Sequence, residues 1–434
     1  MIFDYIFVKP KIKNMRTYVL IATAFVAFLA GCNEDRGTIS LTYNKASAVY
    51  GNIDNVRATP LFTTPQAIVN PGKIFMGTDF LLVGEKGSGI HVYDNTDPNN
   101  PFDVGFIQLP FTNEFYVEKN FIYAESHYDF IKIDLSVINS PVVVDRVEYA
   151  FAEAIVNDQN EVLLGFDFEI VTESFKLHSP EAEALNETSM LYYNYQHQLI
   201  PASSVPSSFA GNGTSDKGTL NKITIANGHA YVVGDQTLYT FQDDLTDLSY
   251  LGTSWLSSGV ETIYPENNNL YIGTQNSMII MDASNPATPQ HISEYWHETS
   301  CDPVLPRGDI AYLTLRTADF SGCSGDENTL EVIDISNPSS PAMIMEVEMT
   351  SPYGMGVIGD YLFVAEGANG LSIFNITDED NPILVVNHPG VEVFDVMPHP
   401  TDPNRVLTTG YAGLEQYSID FTDMSVSLVS SIAF

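Results

Sequence analysis

Apolar residues in this chain gather in short runs. Residues 361–382, YLFVAEGANGLSIFNITDEDNP, show the form: runs at 361–365 and 371–374 flank a turn at Glu366-Gly-Ala-Asn-Gly370, and a loop punctuated by Asn381-Pro382 follows. Short runs rich in β-branched and aromatic side chains and bounded by glycine predict strands rather than helical turns. The pattern recurs. Aligned on the last residue of the second run, its copies fall at Asp94, Asp134, Gln242, Asp282, Asp334, Asn375 and Ser418, with spacings of 40, 108, 40, 52, 41 and 43 residues. A period near 40 predicts an all-β fold, a β-propeller of four-stranded blades: an inner strand, the hairpin, and an outer strand after the Asn-Pro loop.

Taken in order, two complete units end near Pro110 and near residue 149. The gap of 108 residues is too long for one further unit and too irregular for two. Residues 153–160 and 161–171, the latter EVLLGFDFEIV, predict the start of a degenerate third blade, followed by a polar insertion at about 172–219 in which MLYYNYQ is a remaining strand. Tyr192, Tyr193 and Tyr195 in that strand are either half-buried packing or a platform for a glycan or partner chain. Five more units follow, the sixth carrying its extra length in the hairpin turn 317–328. The expected ring has eight blades over residues 67–434, with seven as the alternative.

The first 31 residues read as an address. Lys9, Lys11, Lys13 and Arg16 precede a 13-residue apolar run at 18–30, which falls short of the ~20 residues of a spanning helix and fits a secretory signal. Its end, Leu29-Ala30-Gly31-Cys32, resembles the lipobox of bacterial lipoproteins, which implies acylation of Cys32 and removal of residues 1–31. Met15 is an alternative start. Residues 32–66 are expected to be a lipidated tether, and Asn33-Glu-Asp35 resembles surface-export signals of Bacteroidota lipoproteins. The implied location is the outer membrane, facing the periplasm or the cell surface. Cys301 and Cys323 then remain as an even pair in an oxidising compartment, which predicts a disulfide.

Composition fits a folded, dispersed protein: 44% hydrophobic, 17% charged, and a formal charge of -37 from 18 basic and 55 acidic residues. With no basic cluster, that field repels phosphate backbones, so nucleic acid is excluded as a partner. HExxH, GxSxG, Walker, CxxC and EF-hand patterns are absent, so no cofactor or metal is expected, and an enzyme would need a dispersed constellation. His127, His297 and His399 lack metal-ligand spacing and read as loop donors.

The strands LEVID, MIIMD and LSIFN resemble those of the LVIVD-repeat family of bacterial β-propellers, and the run from Glu261 to Cys323 is similar to a Bacteroidota lipoprotein subfamily. The resemblance covers about residues 68–434 and departs at Gln242, Asn375 and Ser418, where the marker aspartate is missing. It implies the fold and no defined activity.

In a four-stranded blade the loop entering the inner strand and the turn between the second and third strands lie on one face. That face is expected to gather Glu261, His297, Glu298, Asp302, Arg316, Tyr353, Glu366 and Asp395, together with both cysteines. Arg316, scarce as a cation in this chain, either binds a small polar or anionic ligand with Glu261, His297 and Asp302 as hydrogen-bonding partners, or pairs structurally with Asp302 or a carbonyl. The leading function is a binding or interaction module with a protein or glycan partner. The alternative is a hydrolase or lyase on an extracellular carbohydrate or ester, using carboxylates at the central mouth.

Overall fold

The structure, a computed structural model, describes residues 37–434 apart from 59–60, 152–154, 188–189, 194–195, 197, 200–221, 235, 245, 258, 298–302 and 318–327. The signal segment, Cys32, Tyr195, Glu298, Cys301, Asp302 and Cys323 lie outside the described residues. Among the described residues no helix is long and apolar enough to cross a membrane.

Seven successive segments fold as antiparallel meanders whose spatial order follows chain order. Blades 1 to 7 span residues 71–108, 115–147, 223–255, 260–296, 304–348, 355–388 and 395–432, and Phe62–Thr63 adds a fifth strand to the outer edge of blade 1. In blade 6 the strands are Met355–Ile358, Tyr361–Ala365, Leu371–Asn375 and Ile383–His388. The two middle strands are buried almost throughout, whereas Ile383 and Leu384 on the outer strand are exposed. A middle strand packs on both sides because its blade sits between two others, which is why its sequence is a continuous apolar run rather than an alternation.

Seven apolar clusters, one at each junction between blades, close the ring. The last joins Leu407 and Leu414 of blade 7 to Ile74, Leu81 and Val83 of blade 1. Polar ties reinforce that closure: Asn95 and Gln416 exchange amide hydrogen bonds of 3.0 and 2.8 Å, and His399 Nε2 donates to the Thr78 carbonyl at 3.0 Å. Elsewhere buried tyrosines act as rivets. Tyr123 Oη donates to Asp243 of the next blade at 2.8 Å, and Tyr312 Oη donates to the Glu379 carbonyl at 3.0 Å. In every blade the pairing of the third and fourth strands slips at one bulge, which adds the twist that lets the blades fan out.

The turn chemistry is more regular than the sequence markers. Asp94, Asp134, Asp282 and Asp334 each accept a hydrogen bond from the backbone N–H two residues on, at 2.7 to 2.9 Å. Asn375 does the same through its carbonyl oxygen at 3.0 Å. In blades 3 and 7, where the marker position holds Gln242 and Ser418, the bond moves two residues along to Asp244 and Asp420. All seven blades therefore carry the turn.

Two expectations change. The ring has seven blades, the alternative count, because residues 161–171 build no blade. They belong to the strand Val162–Lys176, which lies beside Thr38–Gly51 in a three-stranded sheet whose other edge is Met190–Tyr193, paired in parallel. Residues 38–51, expected within a featureless tether, thus form a 14-residue strand, organised by Tyr43 and Ala46 facing inward. The chain divides into two compact units, and this sheet lies largely in the one containing residues 37–49 and 165–202. There Tyr193 is buried with Tyr43 and Leu191, and Tyr192 meets Phe166 edge-on at 5.3 Å, so these tyrosines pack.

Candidate functional site

The repeated stretch in blade 6 supplies the turn that seats Tyr353. After Tyr361–Ala365 the chain turns at Gly367, whose N–H donates to the Val393 carbonyl at 2.7 Å, tying this turn to the loop that enters the inner strand of blade 7. The expected sharing of one face by these two kinds of loop is present. Gly367 has φ of +56°, and a Cβ there would lie 2.9 Å from the Tyr353 ring. Glycine therefore serves both the left-handed backbone and the seat of Tyr353.

Tyr353 carries the site's cation. The Arg316 guanidinium lies 4.2 Å from the centre of the Tyr353 ring and the residue is only 9% exposed. Among the described residues no carboxylate pairs with it. Arg316 follows the second strand of blade 5, Ile310–Leu315, and Thr314 Oγ1 donates to the Tyr353 carbonyl at 2.9 Å, locking the two chain segments together. The aromatic surface continues through Phe394, 5.0 Å from Tyr353 and edge-on, to Tyr411, which is 71% exposed. A cation on an aromatic face keeps its in-plane N–H donors available, the geometry that receives a carboxylate or phosphate.

The other candidates divide. Glu366 is buried and spent on the fold: it accepts from Thr350 N–H at 2.9 Å and from the Ser372 hydroxyl. Glu85 takes the corresponding place in blade 1, accepting from Val69 and Asn70 N–H. Glu261 sits at a bulge in the inner strand Val260–Glu266 of blade 4, half-buried. His297 follows the outer strand of that blade, its backbone N–H donating to Asn276, and its ring lies 6.5 Å from Tyr295. Neither is brought to Arg316 by a hydrogen bond or ion pair among the described residues. His127 is packed between Phe111 and Tyr128, and its pKa is pushed down to about 4, mainly by burial.

A charged group that adds Lys73 and Glu114, which the sequence did not single out, to the expected Asp395 lies at the same end of the ring. Lys73, Glu114 and Asp395 stand at or beside the start of the inner strand in blades 1, 2 and 7, which are neighbours around the ring. Burial pushes the Lys73 ammonium down, while the Glu114 and Asp395 charges oppose that shift. Asp395 is fully buried against Gly354, where a Cβ would fall 2.0 Å from its Oδ1. Withdrawal from water, and then the Glu114 charge, push Glu125 up to about 7 despite a hydrogen bond from Asn113 N–H. A carboxyl so placed can hold or release a proton near neutral pH. The signal was a polar residue at one repeat offset in successive units, visible only once the strand register is known.

Among the described residues no group of histidines, cysteines and carboxylates could hold a metal ion. LVIVD repeats are present at residues 266–296, 323–349 and 354–388, within blades 4, 5 and 6. No curated protein matches the chain. Of solved structures, a functionally unknown protein from Desulfotomaculum acetoxidans is similar with a TM-score of 0.52 and 11% identity, over 81% of this chain and 95% of its own. A periplasmic gluconolactonase from Pseudomonas aeruginosa is similar with a TM-score of 0.51 and 9% identity, over 84% of this chain and 96% of its own. At these identities the likeness shows the β-propeller fold alone.

Proposed function

We propose that this LVIVD-repeat propeller is a lipid-anchored, extracytoplasmic binding module whose mouth takes a small anionic or polar ligand through Arg316. The observation that carries the reading is Arg316, a residue nine-tenths buried whose guanidinium lies over the Tyr353 ring with no carboxylate opposite it among the described residues. A charge withdrawn from water without an ion-pair partner is costly unless a ligand or a neighbouring dipole answers it. In a chain of charge -37, a single cation on an aromatic ring also selects small anions over polyanions. Thermal-shift screening against phosphate, sulfate and sugar carboxylates tests it: stabilisation by one of them in wild type and none in Arg316→Ala is expected. Equal shifts in both proteins, or no shift in either, would count against the mouth site.

The anchor rests on the sequence Leu29-Ala30-Gly31-Cys32, with an outer-membrane location facing the periplasm or cell surface. Acyl labelling in cells should disappear in Cys32→Ser; labelling that persists would defeat the anchor. In that compartment Cys301 and Cys323 form a disulfide, so thiol labelling should require reductant.

A second reading, a hydrolase or lyase acting on an extracellular carbohydrate or ester, draws on Glu125, whose proton is exchangeable near pH 7 beside Glu114. Turnover abolished by Glu125→Gln, with ligand binding at Arg316 retained, would favour it over simple binding.

A further inference from the structure

We propose a second site, a groove between blades 2 and 3 that binds an uncharged saccharide, separate from the Arg316 mouth and independent of it. The groove encloses about 300 Å³ and is lined by Glu148, Tyr149, Phe151, Tyr239 and Tyr250, among others. That volume is at the small end of ligand pockets, about 300–1,000 Å³, and suits one or two sugar rings.

Two of the lining tyrosines are held where a free surface would not hold them. Tyr149 is 42% exposed yet has φ of +53°, a left-handed backbone that costs a non-glycine residue about 1–2 kcal/mol. Its N–H donates to Asp129 Oδ1 at 3.0 Å, and Asp129, 1% exposed, is gripped by Arg57 through two bonds of 2.9 Å and by Arg146 at 2.8 Å. Arg57 also lies 4.8 Å from the Tyr149 ring centre. Tyr250, 49% exposed, stands edge-on to Phe241 at 5.7 Å. Tyr239 donates through its hydroxyl to the Phe151 carbonyl at 2.6 Å and meets the Phe151 ring edge-on at 5.3 Å. An arginine–carboxylate network centred on a buried aspartate that enforces a strained backbone so as to present a partly exposed ring is a built feature, of the kind found at binding sites.

Charge decides the occupant. Arg57, shared with Asp129, places its Nη1 3.0 Å from Glu148 Oε2, so the one lining carboxylate has a cation beside it, and one side of Tyr149 already faces that cation. The cation already beside the ring and the carboxylate disfavours an ammonium group, and Glu148 disfavours an anion. The groove offers aromatic rings for the C–H faces of a sugar and, at Glu148, whose side chain is 56% exposed, an oxygen to accept from its hydroxyls.

The test is isothermal titration of the full chain with maltotriose, cellotriose and, as a cationic probe, tetramethylammonium. Saturable binding of a trisaccharide is expected, weakened about tenfold or more in Tyr250→Ala and in Tyr149→Ala, and changed less than about threefold in Tyr250→Phe. Tyr250 is exposed, so its variants are expected to keep the wild-type melting temperature, and a matched melt confirms that binding is read on folded protein. Binding of tetramethylammonium alone, binding unaffected by both alanine variants, or no saccharide binding would overturn the proposal.

Discussion

On one face of the ring the same hydrogen bond is made seven times. Asp94, Asp134, Asp244, Asp282, Asp334, Asn375 and Asp420 each accept from the N–H two residues ahead, whatever the marker position holds. On the opposite face the corresponding turns differ. Blade 6 turns through Gly367 beneath Tyr353, blade 5 carries Arg316 at the base of a long hairpin, blade 2 sets His127 at φ of +59°, and blades 1, 2 and 6 cap their entering loops with Glu85, Glu125 and Glu366. The repeated face spends its polar groups on its own backbone. The variable face leaves an arginine, a proton-bearing glutamate and exposed aromatics available. Repetition marks the scaffold here, and departure from it marks where a ligand can be met.

Substitutions on the two faces should separate stability from binding. The largest expected effect is at Glu125. Its pKa is raised from 4.5 to about 7 in the folded chain, so the folded state holds the proton more tightly than the unfolded state. The associated stability is fully present below pH 4.5 and lost as pH rises through about 7, at most roughly 3 kcal/mol. Denaturation of Glu125→Gln across pH 4 to 8 should lack that decline and exceed wild type above pH 7; parallel profiles would remove Glu125 from the proton-bearing group.

Next is Gly367→Ala, which meets both a left-handed backbone and the Tyr353 ring. It should cost about 1–3 kcal/mol in chemical denaturation and weaken anion binding as well, because Tyr353 carries Arg316. The smallest effect is on the repeated face. Asn375→Ala removes the acceptor for Thr377 N–H and should cost about 1 kcal/mol while leaving binding at the mouth unchanged, and Asn375→Asp should be close to neutral. If Asn375→Ala altered binding as much as Gly367→Ala, the division between faces would fail.

Most of the scaffold was legible because buried middle strands and Asx turns leave local signals in every unit. The blade count was not. EVLLGFDFEIV has the apolar content of a strand, but nothing in it says whether its partner is the next hairpin or the distant Thr38–Gly51. Arg316 could be found by the scarcity of cations, and Tyr353 by its loop, but their stacking is set by Gly367 and Thr314, neither of which signals a site in sequence. Lys73, Glu114 and Asp395 become a group only when the ring closes blade 7 onto blade 1. The Tyr149 groove arises between two blades, from residues about 90–100 apart in the chain, so no local pattern announces it.

The central claim, that the mouth holds an anion through Arg316, is tested most directly by titrating wild type, Arg316→Lys and Arg316→Ala with the anion that shifts wild-type melting most. The account predicts saturable wild-type binding, partial loss in Arg316→Lys because the planar fork is gone, and at least about tenfold loss in Arg316→Ala at an unchanged melting temperature. The same dissociation constant in all three proteins would contradict it.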